Sequence, residues 1–174
     1  MKLFLKSVPV LLLIFGVIYG YSREVPYFSN TFGIQYLFFR ALLLGAFVGG
    51  ILGWFVSKKV TDESDRVPLF LLCLVACLAV FPLVVLKTNH ALSKNTPLSI
   101  KVIFQKEEPL RTSRFGIAKN AVVPIDAFYL YFKKDSKTER IRSKTQSFRN
   151  VEAGQEIELP IKHGFWGFDF VDIL

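Results

Sequence analysis

The stretch YLFFRALLLGAFVGGILGWFV, Tyr36 to Val56, carries a single charge, Arg40. At about 1.5 Å of rise per residue, a helix of this length crosses the roughly 30 Å hydrocarbon core of a bilayer. Arg40 lies one turn in, close enough to the end for its guanidinium to reach the headgroups. Ala41, Gly45, Gly49 and Gly53 recur every four residues within the stretch. At helical pitch they form one ridge almost bare of side chains, along which another helix can approach the backbone closely.

Two further apolar segments flank this one. The first runs from about Leu3 to Tyr21, with Lys2 and Lys6 at its head and a shorter small-residue match at Gly16 and Gly20. A basic head and apolar centre also suit a cleaved signal peptide, but bulky Tyr19 and Tyr21 stand where a small-x-small cleavage site belongs, so a retained helix is expected. The third segment runs from about Val67 to Leu86, with Asp65 expected to cap it, Pro68 in its first turn and Pro82 expected to kink it. Cys73 and Cys77 share one face of this segment, beside Ala76, as small apolar residues. Residues 1–87 are therefore expected to be a three-helix transmembrane module (about 3–21, 36–56 and 67–86). The stripes of its first and second segments are complementary and would pack helix on helix within the chain, or else meet another chain.

The rest of the sequence is a different material. Only four acidic residues precede Lys87, and ten follow it. After Lys87 the period shortens: Ile100, Val102 and Phe104 alternate with Ser99, Lys101 and Ile103. Ala127–Lys133 is aromatic and β-prone. Asp135-Ser136-Lys137 reads as a turn before Thr138–Arg142, and Ala153-Gly154 as a turn before Glu156–Ile161. Gly167 opens a last candidate strand, Phe168–Ile173, while Glu107–Asn120 reads as a long loop. About five short strands give residues 88–174 a small all-β extramembrane domain, a sandwich or an open barrel.

Lysine and arginine in the short flanks set the expected orientation. Lys2, Lys6, Lys58, Lys59 and Arg66 gather on one side, against Arg23, Arg40 and Lys87 on the other. The positive-inside rule then puts the N-terminus in the cytoplasm and the β-domain outside the plasma membrane, or outside the inner membrane of a bacterium.

Several function classes find little support. The net charge of +8 and pI near 9.6 are spread over both halves, with no recognisable nucleic-acid motif. No phosphate loop, dinucleotide fingerprint, nucleophile elbow or His-Glu-x-x-His string occurs. His163 with Asp169 and Asp172 could be drawn as an acid–base or metal cluster, but a regular strand would point Asp169 and Asp172 to opposite faces, so solvated side chains are expected. No catalytic residue, metal ligand or cofactor is assigned. The apolar segments hold no interior carboxylate or histidine, which counts against an ion carrier.

Two surface features remain. Lys133, Lys134, Lys137, Arg140, Arg142, Lys144 and Arg149 form a basic group centred on a hairpin. Lys133, Lys134, Arg140 and Arg142 are its candidate contacts with an acidic partner or anionic lipid. The closing run Phe165-Trp166-Gly167-Phe168-Asp169-Phe170 offers Trp166 as an interaction anchor. The expected function is that of a non-enzymatic anchor or accessory subunit of a membrane complex, in contact with lipid and with a protein partner. The alternative is a self-associating component of a transport or channel assembly, and a membrane-bound enzyme ranks behind both.

Overall fold

The computed structural model describes residues 2–93, 98–111, 124–134 and 136–171, with side chains from Val10 onward. The chain forms two compact units. The first comprises Met1–Val25, Gly33–Ser93 and Phe165–Phe168; the second comprises Pro26–Phe32, Lys94–Gly164 and Asp169–Leu174. Each unit thus draws on stretches far apart in the sequence.

The helical unit is built on α1 (Lys2–Asn30), α2 (Ile34–Lys58) and α3 (Glu63–Ala91), the last turn of α1 belonging to the second unit. All three helices outrun the apolar segments that announce them, because hydrogen bonding continues into polar flanks that hydropathy excludes. The start of α3 corrects the expected cap. Asp62, not Asp65, caps it, accepting from the Ser64 backbone N–H at 3.0 Å and the Ser64 hydroxyl at 2.8 Å. Those two donors hold the Asp62 carboxyl below its ordinary range. Asp65 falls in the first turn, where its charge suits the helix dipole. Helical structure runs unbroken through Pro82. Gly33, at φ +65°, adopts a left-handed conformation at the N-cap of α2 that a residue with a Cβ rarely takes.

The small-residue ridge of α2 lies against α3. Leu37, Ala41, Gly45, Gly49 and Gly53 are the buried residues of α2. A Cβ placed on Gly45 would stand 3.0 Å from the Cys77 carbonyl oxygen. On Gly49 it would stand 2.9 Å from Cys77 Cβ and 3.0 Å from Leu74 Cα, and on Gly53 2.8 Å from the Phe70 ring. Three successive turns of backbone are thus in direct contact, and dispersion between closely packed atoms holds the pair. Gly20 of α1 also faces α3, where a Cβ would meet Leu83 at 2.9 Å, and Tyr21 Oη donates to the Ala79 carbonyl at 3.1 Å. Gly16 has open space around it.

Both α2 and α3 are long and apolar enough to cross a membrane, and only 22% and 17% of their apolar windows are buried within the protein. Two helices meet that test among the described residues, where three spans are expected from the sequence.

The second unit centres on β1 (Leu98–Arg111), β2 (Ile125–Lys134), β3 (Lys137–Ser143) and β4 (Glu156–Ile161), an antiparallel sheet in the order β3-β2-β1-β4. β1 corrects the expected loop. It continues through a bulge between Phe104 and Lys106 into Glu107–Arg111, while residues 112–120 lie outside the described structure. The last candidate strand is also corrected: Phe170 makes isolated bridges only, and Asp172 to Leu174 lie outside the described residues. Alternation sends Val102, Phe104, Leu130, Phe132, Ile141, Ile157, Leu159 and Ile161 to one core, completed by Val171. Phe32 packs edge-on to Phe132, with ring centroids 6.1 Å apart.

Backbone hydrogen bonds then continue around this core beyond the four strands. Lys162, immediately after β4, exchanges N–H···O bonds with Phe170 at 2.8 and 3.0 Å. On its other side the Phe170 segment pairs with the end of α1: Val171 N–H donates to Asn30 O and Phe32 N–H to Asp169 O, both at 2.9 Å. The Asn30 side chain completes the circuit at β3, its Nδ2 donating to Arg142 O at 2.9 Å and its Oδ1 accepting from Arg142 N–H at 2.7 Å. The four-stranded antiparallel sheet, where a sandwich or an open barrel is expected, thus gains hydrogen-bond partners beyond β4 and, through one side-chain amide, along β3.

Three substitutions test these packings. Replacing Gly49 with Ile should destabilise the α2–α3 pair by about 1–3 kcal/mol, since backbone atoms cannot yield to the added side chain. Gly50→Ala, at a position with open space, should leave the melting temperature in mild detergent in place. Asn30→Ala should cost about 2 kcal/mol in chemical unfolding, because it leaves the Arg142 N–H and C=O without partners.

Candidate partner-binding face

β2 sends Tyr129 and Tyr131 to the face opposite Leu130 and Phe132. Register places Lys106 of β1 and Arg140 of β3 on either side of Tyr131, and Glu108 and Arg142 on either side of Tyr129. Directly paired residues share a face, so these six side chains form a patch on the outside of the sheet. Lys106 Nζ lies 4.9 Å from the Tyr131 ring centroid, and Arg140 Cζ lies 4.9 Å from that of Tyr129. The two rings meet edge to face at 6.5 Å. Glu108 binds Lys106 at 2.7 Å and holds its ammonium above the ordinary lysine range. Cations resting on aromatic faces keep their charge while losing freedom, which lowers the entropy cost of meeting an acidic partner.

The basic group marked in the sequence is divided by this geometry. Lys133, Arg140 and Arg142 lie on the outer face, with Lys133 opposite Ile103 and Thr138. Lys134 shares the parity of Phe132 and rests over the Phe32 ring at 4.5 Å. Lys106, Tyr129 and Tyr131 complete the patch but were not singled out from the sequence. Their participation depends on strand register, and the bulge after Phe104 changes the parity of Lys106.

Trp166 belongs to the helical unit. Its backbone N–H donates to Asn89 Oδ1 at 3.0 Å and its indole N–H to Thr88 Oγ1 at 2.8 Å. Asn89, fully buried near the end of α3, also donates from Nδ2 to Phe168 O at 2.9 Å and accepts at its carbonyl from Phe165 N–H at 3.1 Å. One asparagine therefore satisfies a terminal helix carbonyl and fixes the turn that presents Phe165 and Trp166. Phe168 lies 5.2 Å beneath the Arg40 guanidinium.

His163 is exposed and sits beside a carboxylate. Its Nδ1 lies 2.6 Å from Asp169 Oδ1, just beyond the Lys162–Phe170 bridge. Among the described residues no group of three or more His, Cys, Asp or Glu side chains could hold a metal ion.

Asn89→Leu should free the turn. In a Trp54→Phe background, Trp166 fluorescence should become more accessible to acrylamide, while the helical circular dichroism is retained.

Neither known protein families nor curated proteins nor solved structures yielded a match to this chain.

Proposed function

We propose that this chain is a non-enzymatic integral membrane protein, an anchor or accessory subunit whose β-unit binds a protein partner outside the membrane. The observation that carries the reading is the outer patch of Lys106, Tyr129, Tyr131, Arg140 and Arg142, where ordered cations and tyrosines share one sheet face. Tyrosine and arginine are the residues that dominate binding energy at protein interfaces.

Lipid contact is supported by the outward apolar side chains of the helices. Tyr36, Phe39, Phe47 and Phe55 are each at least 60% exposed, a surface that water does not tolerate at this extent. Leu12 and Phe15 of α1, each 67% exposed, support a third span. The positive flank at Lys58, Lys59 and Arg66 favours a cytoplasmic α2–α3 loop, which with three spans carries the β-unit to the opposite side. The ridge of Gly45, Gly49 and Gly53 is taken up by α3, so assembly with other chains would use the outward apolar faces instead.

The test combines topology with partner capture. A Ser136→Cys protein should react with an impermeant thiol reagent on intact cells; labelling only after lysis would reverse the orientation. A photo-crosslinker at Tyr131 should give one discrete adduct that Arg140→Glu/Arg142→Glu reduces about tenfold, the loss expected when like charge meets an acidic surface. A monomer without adducts would overturn the accessory-subunit reading.

A further inference from the structure

Only part of β1 has a strand on both sides. β4 pairs with it from Leu98 to Ile103, whereas β2 begins at Ile103 and leaves Leu98–Val102 with a single neighbour among the described residues. The polarity of the backbone there follows from one pair of hydrogen bonds. Phe104 donates to Gln155 O and accepts from Gly154 N–H, both at 2.8 Å, so it faces the β4 side. Alternation then turns Val102 and Ile100 to β4, and directs the N–H and C=O of Lys101 and Ser99 toward the missing strand.

A groove lies at this place. It measures about 660 Å³ and is lined by Ile100–Ile103, Lys133, Lys134, Gly154 and Glu156. Three lysines line it with one carboxylate, Glu156; Lys101 and Lys133 share the outer face, Lys134 turns to the Phe32 ring on the other, and Glu156 reaches Lys101 at 3.7 Å across an exposed pair of little strength. Ile103, 45% exposed, supplies an apolar contact between the lysines.

Resting on the reading of the β-unit as partner-binding, we propose that an extended acidic segment of the partner enters this groove at Lys101 and adds as a strand along Lys101 and Ser99. A bare strand edge recognises peptide backbone, which neither lipid nor nucleic acid supplies. The lysines at its border select carboxylates at alternate positions of the incoming strand. The groove binds the segment, and the tyrosine–cation patch beyond the bulge extends the same basic face along β1 and β2.

The probe is a fluorescein-labelled, end-blocked octapeptide of alternating glutamate and valine, titrated with full-length protein in detergent micelles and read by anisotropy. Saturable binding is expected. Full N-methylation of the peptide backbone should weaken it by about tenfold or more, the equivalent of two lost hydrogen bonds. Lys101→Glu/Lys133→Glu should weaken it to a similar degree. Lys101→Pro should block binding while sparing the β1–β4 ladder, since its N–H points away from β4; unchanged thermal unfolding establishes that the variant is folded. Equal binding of the N-methylated peptide would overturn the proposal in favour of a charge-only contact, and so would displacement by an oligothymidylate with no effect of N-methylation. A peptide-free dimer abolished by Lys101→Pro would seat a second copy in the groove instead. Absence of saturable binding also overturns it. Loss of the Tyr131 crosslink on Arg140→Glu/Arg142→Glu but not on Lys101→Glu/Lys133→Glu would remove the groove alone and leave the partner-binding reading standing.

Discussion

Asn30 offers Arg142 the same donor and acceptor that a neighbouring peptide unit would, and the β3 edge depends on that mimicry for its partner at Arg142. An edge strand ordinarily exposes a row of N–H and C=O groups that invite pairing with other chains. Here one side chain covers that edge at Arg142, while the Asn30 carbonyl binds Val171 on the other side. The residue is almost wholly buried, so its amide is worth more than an exposed one and costs more to lose. The core residues Phe132, Leu159 and Val171 of the same unit are buried to a similar degree.

Asn89 performs a related task in the helical unit, where a buried amide organises the Phe165–Phe168 turn. Both asparagines sit near the end of a long helix. An asparagine at such a place has both a donor and an acceptor on a short arm, so it can satisfy irregular backbone beside the terminal carbonyls that a helix leaves open. Packing along the helices follows the opposite rule. Gly45, Gly49 and Gly53 contribute by absence, letting the backbone of α2 touch Cys77, Leu74 and Phe70.

Much of the architecture was legible in periodicity. Strict alternation marked β4, and the hydropathy of Tyr36–Val56 marked α2. The glycine ridge could be seen in the sequence, but the matching stripe at Gly16 and Gly20 pointed to α1 as its mate, whereas the ridge meets α3, because a bare surface accepts any helix that approaches it. Long-range pairing was hidden for a different reason. Nothing local in Ser29-Asn30-Thr31 announces a bridge to Phe170, and a single bridging residue carries no alternation to detect. The candidate face suffered from the same limit: Arg140 and Arg142 stood out by charge, whereas Lys106 joined them only through a bulge.

The closing hydrogen bonds also impose an order on assembly. Asn30 must meet Arg142, Val171 and, through its neighbour Thr31, Phe170, partners more than a hundred residues downstream. During synthesis the segment after α1 therefore waits for these partners until Phe170 and Val171 have been made. Such non-local contacts make closure slow relative to helix formation. Until those contacts form, β3 lacks the partner that Asn30 supplies at Arg142.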